Sequence, residues 1–321
     1  MRQDQFAGMP SRVEAERSVG GFDTWLFRVV AVLTSGILLG VAQPPIPLEW
    51  IGVFALIPWI LAVWRAPGVG EVVAQSVLLV AAYGAVVIYW LPAALLGVGA
   101  RPSPGVLTVL GASLWAPLPI FLPAGILLYF ARERDDVVSL LAIAFATAAL
   151  EWVHGHGVLG IPWAHLGHTQ IDSEGVSQLA RLGGVPLVSM FVMSINVAVA
   201  RSVLRMDQSR VRIALASLSA WAALHFAGLS IAQWGGPIDP APPSVQLLVV
   251  QPNIPRAERW IPSLQSFNVE RAAWVMKAAL RNRQETVNAV LWPENLVTSR
   301  EIERPLSVKR FSSRSTPWAC R

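Results

Sequence analysis

Ala289-Val290-Leu291-Trp292-Pro293-Glu294-Asn295 is an apolar run that stops at a proline and delivers a carboxylate just past its end. A short apolar run bounded by turn residues reads as a buried strand. Pro293 has no N–H for a sheet ladder and so closes the strand. In open α/β sheets, ligands gather outside the carboxyl ends of strands, which makes Glu294 a candidate general base. A glutamate after an edge strand can equally be a solvated loop residue, and spacing alone leaves both readings open.

The sequence upstream has a different character. The chain is 54% hydrophobic and only 14% charged, with 14 tryptophans, where soluble domains carry about 25% charged residues. Its mean hydropathy of +0.51 indicates an integral membrane protein. The net charge of +5 is spread over the first residues, a few short loops and the last part of the chain. No single basic stripe forms, which argues against nucleic acid as a partner. One cysteine, Cys320, excludes an internal disulfide.

Hydrophobic stretches at 26–42, 50–64, 72–99, 105–131, 137–153, 185–200 and 211–232 predict about seven spans. Several are shorter than the ~20 residues of a perpendicular crossing. Trp25, Trp50, Trp64 and Trp152 are placed to extend them at the interface. The third and fourth stretches are long enough to cross with strong tilt. Gln43-Pro44-Pro45-Ile46-Pro47 predicts a tight turn between the first two. Gly84 and Gly111 are candidates for close helix approach, and Met190 and Met193 for packing.

With the N-terminus inside, inner segments hold 11 arginines (Arg2, Arg12, Arg17, Arg28, Arg65, Arg132, Arg134, Arg201, Arg205, Arg210, Arg212) against Arg101 and Arg181 outside. That bias sets the N-terminus in the cytoplasm and everything after about 233 outside. The lead is not a cleavable signal peptide but an inner arm over 1–24. After a Gly/Pro linker, the run from Val245 to Val250 predicts a first buried strand. Ser263 is a candidate N-cap for a helix over 264–284 with Leu264, Phe267, Val275 and Leu280 on one face. A second buried strand follows at 288–292, and strand, helix, strand opens an α/β domain.

The string Val249-Val250-Gln251-Pro252-Asn253-Ile254-Pro255, then Trp260, then Leu291-Trp292-Pro293-Glu294 resembles the start of the nitrilase-type domain of bacterial apolipoprotein N-acyltransferases. Glu151-Trp152, Gly160-Ile161-Pro162-Trp163, Gly167 to Asp172 and Gly183-Gly184-Val185 resemble that family's loop between spans five and six, and Gln43-Pro44-Pro45 its first loop. The resemblance covers about 25–299. It implies a membrane α-helical bundle over 25–234, then the first part of an α/β nitrilase-like (carbon-nitrogen hydrolase) domain over 244–299.

The implied reaction moves an acyl chain from a membrane phospholipid to the N-terminal amine of an S-diacylglyceryl-cysteine lipoprotein, in the bacterial inner membrane and without a cofactor. The family works through a Glu-Lys-Cys triad and an acyl-thioester, which splits a difficult transfer into two steps. By match, Glu294 is the base and Trp260 a tryptophan at the lipid entrance. Lys309 and Cys320, 15 and 26 residues past Glu294, stand outside the family's local motifs. The triad Lys and Cys are therefore expected to be absent from this chain, which reads as truncated or frame-shifted, with 300–321 a non-family, disordered tail.

Trp163 is either an aromatic anchor or a wall of the lipid entrance. Glu151, at the end of span five, is either functional or a structural acceptor for loop amides. His154, His156, His165 and His168 share one loop; without accompanying Cys or acidic ligands they read as interfacial polar residues rather than a metal centre. A non-enzymatic alternative is a membrane anchor or activator of a polyprenyl-phosphate mannosyltransferase. A transporter is disfavoured, because the spans carry almost no internal charge. Alkaline phosphatase fused after Pro240 is expected to be active, and fused between Arg132 and Arg134 inactive; the reverse pattern would overturn the orientation.

Overall fold

The computed structural model describes residues 25–46, 48–97, 108, 111–112, 114–134, 136–156, 160, 162–163, 165–204, 206–234, 245–259, 261–281, 287–293 and 296. The arm 1–24, the tail 300–321 with Lys309 and Cys320, and also Trp260 and Glu294, lie outside these residues. Contacts divide the chain into one unit of Met1–Pro92 with Ser103–Gly236 and another of Ala93–Pro102 with Pro237–Arg321.

The first unit is helical: α1 (Trp25–Val41), α2 (Glu49–Gly52), α3 (Ile57–Trp64), α4 (Val69–Val87), α5 (Leu91–Gly97, at the division between units), α6 (Leu118–Phe130), α7 (Val137–His156), α8 (Glu174–Ser177), α9 (Ala180–Leu204) and α10 (Gln208–Trp234). Among the described residues, four segments are long and apolar enough to cross a membrane: α4, α7, α9 and Gln208–Gly228 of α10. Helix α1, the stretch Glu49–Trp64 and α6 are apolar but shorter.

Helix starts follow local chemistry. Asp136 accepts the Ser139 N–H at 2.8 Å, and Asp207 accepts the Arg210 N–H at 3.0 Å. Each thus caps the helix that begins one residue later. Hydrogen bonds from Ser139 and Ser209, respectively, hold both carboxyls below the usual aspartate range.

Trp59, Tyr83 and Phe121 are fully buried at the centre of the first unit. The Phe121 ring meets Trp59 and Tyr83 edge to face, at 5.9 and 6.1 Å, the geometry that ring quadrupoles favour. Helices α1 and α4 approach through Gly36, where a Cβ would lie 2.6 Å from the Leu79 carbonyl oxygen. Gly111 has open space at that position, so the close approach expected there is not made. Met193 is fully buried, as a packing residue should be.

Three of the stretches expected from hydropathy as spans are interrupted by turns. The second is split into α2 and α3 by a turn over 53–56. The third stops at Val87, with a turn at 88–90 before α5. In the fourth, turn residues Ala116 and Pro117 precede α6. Just ahead of the sixth expected stretch, Gly183 (φ −148°, ψ 22°) and Gly184 (φ 68°, ψ −174°) within α9 leave the helical region; the second conformation is open essentially to glycine alone.

Trp64 is also not the interfacial residue it was expected to be. It is buried, its Nε1–H donates to the Leu128 carbonyl at 3.0 Å, and the Arg201 guanidinium lies 4.7 Å from its ring centre. Trp25, Trp50 and Trp152 are exposed.

In the second unit, β1 (Leu247–Val249) and β2 (Ala289–Leu291) pair in parallel with Leu248 opposite Val290. Between them run α11 (Arg256–Arg259), a 3-10 turn at Pro262–Leu264 and α12 (Gln265–Arg281). Ser263 sits inside that turn rather than capping α12. The buried face of α12 is Gln265, Asn268 and Ala272, while Phe267 is 56% exposed. Small and polar residues face inward because the helix packs on Ile254 and Leu296 beside a polar pocket. Both strands were expected to be buried, yet Leu247, Val249, Val290 and Leu291 are exposed. Among the described residues the sheet has two strands, which offer too little surface to cover both of its faces.

The break between α2 and α3 depends on Asn196. Its Oδ1 accepts the Leu56 N–H at 2.9 Å, and its Nδ2 donates to the Gly52 carbonyl at 3.0 Å. Asn196→Leu leaves both backbone groups buried without partners. It is expected to destabilise the unit by about 1–3 kcal/mol, read as a lowered unfolding midpoint in detergent. An unchanged midpoint would contradict this role.

Candidate functional site

Two regions carry polar side chains with defined geometry, one in each unit. In the first unit the connector from α7 to α9 contains a 3-10 turn at Leu166–Gln170. Its backbone is held from several directions. Glu151, fully buried, accepts the Leu166 N–H at 2.6 Å, and Ser189 Oγ accepts the Gly167 N–H at 2.8 Å. Gln43 Nε2 donates to Tyr83 Oη at 2.8 Å and to the His165 carbonyl at 3.2 Å. Gln170 Nε2 donates to the Glu49 carbonyl, and its Oε1 accepts the Trp221 indole N–H, both at 2.7 Å. Glu151 thus accepts a loop amide, the contact its structural reading called for.

Trp163 is 57% exposed and tilts against Trp90 at 6.3 Å, an arrangement compatible with either role considered for it. The four loop histidines do not converge. His165 and His168 stack at 5.3 Å, whereas His156 stacks on Trp152 and His154 tilts against Trp115. No group of three or more His, Cys, Asp or Glu side chains poised for a metal occurs among the described residues.

Sequence reading passed over one further cluster. Ser173 Oγ lies 2.8 Å from His225 Nδ1, and His225 Nε2 lies 3.8 Å from Glu49 Oε1. The order hydroxyl, imidazole, carboxylate is that of an activated nucleophile. Ser173 is fully buried, however, so the cluster ties α10 to the connector and to the start of α2.

In the second unit, the residues following both strands enclose a pocket of about 330 Å³. Gln251, Pro252, Asn253 and Ile254 come from the segment after β1, Pro293 and Leu296 from that after β2, and Arg259 and Asn268 from the helices between. Asn253 holds the left-handed conformation, φ 49°, which asparagine tolerates better than most residues. Asn268 is buried, with Nδ2 donating to the Glu258 carbonyl at 3.4 Å. Pro293 is the residue before Glu294, so the pocket forms where the strand-end argument places ligand chemistry. Neither Asn268 nor Arg259 was singled out from the sequence, because a helix of unknown facing gives no signal of what it lines.

Burial, then the neighbouring His168, His154 and His156, push the His165 pKa down from 6.5 to about 4. The folded protein therefore resists a proton that the unfolded chain accepts. The His165 contribution to stability is complete above about 6.5 and falls as pH drops toward about 4. His165→Gln is expected to flatten the dependence of the melting midpoint on pH across that window. An equally steep profile in the variant would contradict the assignment.

Residues 35–198, half of the chain, match the apolipoprotein N-acyltransferase N-terminal domain. The chain is 27% identical over 232 residues to the apolipoprotein N-acyltransferase of Vibrio vulnificus, covering 70% of this chain and 42% of that protein. It is 24% identical over 276 residues to that of Chlorobaculum tepidum, covering 83% and 48%. For that of Gloeobacter violaceus the values are 28% over 280 residues, 81% and 48%. The chain thus spans about half the length of the curated relatives it matches. With the family domain spread over the helical unit from α1 to α9, the chain belongs to the apolipoprotein N-acyltransferase family.

Proposed function

We propose that this chain serves the transfer of an acyl chain from a membrane phospholipid to the N-terminal amine of a diacylglyceryl-cysteine lipoprotein. On this reading 25–234 form a seven-span unit in the bacterial inner membrane, with the arm 1–24 inside and the chain after about 233 outside. Residues 244–299 open a nitrilase-like domain, and 300–321 form a non-family tail. Glu294 is the general base that takes the proton of the attacking thiol, while Trp260 and Trp163 border the path of the lipid.

The observation that carries this reading is the pocket at the carboxyl ends of both strands, walled by the residue that precedes Glu294. Enzymes of open α/β architecture keep their reacting groups there. The family's names supply the reaction class, and the four long apolar helices suit substrates that arrive through a bilayer.

A base needs its nucleophile within hydrogen-bond reach. Lys309 and Cys320 stand outside the family's local motifs and are not assigned to the triad. The purified 321-residue protein is accordingly expected to show no acyl transfer in phospholipid vesicles, by mass spectrometry of a diacylglyceryl-cysteinyl peptide. Joining residues 1–299 to the remaining catalytic sequence of the Vibrio vulnificus relative is expected to give transfer. Glu294→Gln in that chimaera should lower the rate by about 10²–10⁴-fold, the usual worth of a general base. A fully active Glu294→Gln chimaera would remove Glu294 from the mechanism.

A further inference from the structure

We propose that the outward face of α12 rests on an anionic phospholipid surface. Phe267 and Trp274 sit among the headgroups, and Lys277 and Arg281 meet the lipid phosphates. The inference does not draw on the acyl-transfer reading; it rests on this face and on α10 as a membrane helix.

The rotation of α12 is fixed by what it buries. Gln265, Asn268 and Ala272 face inward. On the opposite side, Phe267 is 56% and Trp274 70% exposed. The two rings are seven residues apart, close to two helical turns, so they lie on one face. Glu270, Lys277 and Arg281 are exposed on that face, and half-buried Arg271 lies at its edge. A single exposed aromatic on a protein surface is ordinary. Two on one stripe, leading into cations toward the helix C-terminus, match a helix that lies in a membrane interface.

Charge selects the occupant. Arg271, Lys277 and Arg281 against Glu270 leave the face net positive. Two copies meeting about a two-fold axis would set the same cations against each other. A neutral protein groove would take the rings and leave the cations unanswered. An anionic bilayer takes both: the headgroup region suits an amphipathic indole, and phosphates attract ammonium and guanidinium groups. Such a surface is also within reach. Residues 235–246 separate α10 from β1, at most about 40 Å of fully extended chain. The second unit is therefore tethered to a helix long and apolar enough to cross a membrane. Tethering raises the local concentration of lipid, so a contact that is weak by itself becomes populated.

The test uses the purified 321-residue protein, labelled with 5-fluorotryptophan, in lipid nanodiscs. The Trp274 fluorine resonance is identified by its loss in Trp274→Phe. A gadolinium chelate carried on a lipid headgroup broadens that resonance when the face lies against lipid. Discs of equal parts phosphatidylglycerol and phosphatidylcholine are compared with discs of phosphatidylcholine alone. In the wild type the docked-to-free ratio is expected to be about tenfold higher in the anionic discs. Lys277→Glu combined with Arg281→Glu should lower it to the phosphatidylcholine value. An equal response in both discs, or a preference that survives the double charge reversal, would overturn the docking face. Broadening by a soluble chelate but not by the lipid-borne one would overturn it as well, since the face is then open to water. A resonance that shifts with protein concentration and ignores the lipid would give the face to a second copy instead. Each of these results leaves the acyl-transfer reading in place. Should the double variant fail to fold, the wild-type comparison between the two discs still decides.

Discussion

Wherever a helix breaks inside an apolar unit, its freed N–H and C=O groups need partners, and hydrocarbon offers none. The first unit breaks its helices repeatedly, and neighbouring side chains serve the breaks. Asn196 serves the gap between α2 and α3 from both sides, and Ser35 Oγ accepts the Trp59 N–H at 2.8 Å. Glu151 and Ser189 do the same for the connector after α7. Buried Glu151, Ser189, Asn196 and Arg201 are thus accounted for by backbone that is not helical.

Helix α9 concentrates the task. Past its break at Gly183–Gly184 it presents Ser189 to the connector and Asn196, seven residues on, to the broken hairpin. Seven residues is close to two helical turns, so both lie on one face. Near the end of the helix, Arg201 donates to the carbonyls of Ala131 and Arg132, just beyond α6. A cation at that position also opposes the negative end of the α6 dipole. One helix thus supplies two breaks and the end of α6 with the groups they lack, and its polar residues reflect those neighbours.

The sequence shows where chain is apolar, and that is why each of the seven stretches includes helix among its described residues. Hydropathy is blind to the turn at 53–56, since Val53-Phe54-Ala55-Leu56 is as apolar as its flanks. The compensating residue lies far away in the chain, and a lone asparagine in an apolar helix announces no partner. Trp64 failed as an interface marker for a similar reason: a tryptophan beside a span end can turn inward when a carbonyl and a guanidinium are there to meet it. The strand ends at Val249 and Leu291 were legible because proline follows each within three residues. The pocket they build was legible only as a location, since Asn268 and Arg259 reach it from a helical segment whose rotation the sequence leaves open.

The bond between Asn196 and the α2–α3 turn joins positions 140 residues apart. A ribosome working at ~5–20 residues per second delivers Asn196 on the order of ten seconds after Leu56. Through that interval the first hairpin exists without the group that completes it. The nascent chain must hold those amides in water, in the insertion machinery or in a provisional arrangement, and settle the hairpin only once α9 has arrived. The early part of this protein is thus finished by one of its late parts, and assembly of the unit cannot proceed strictly in the order of synthesis.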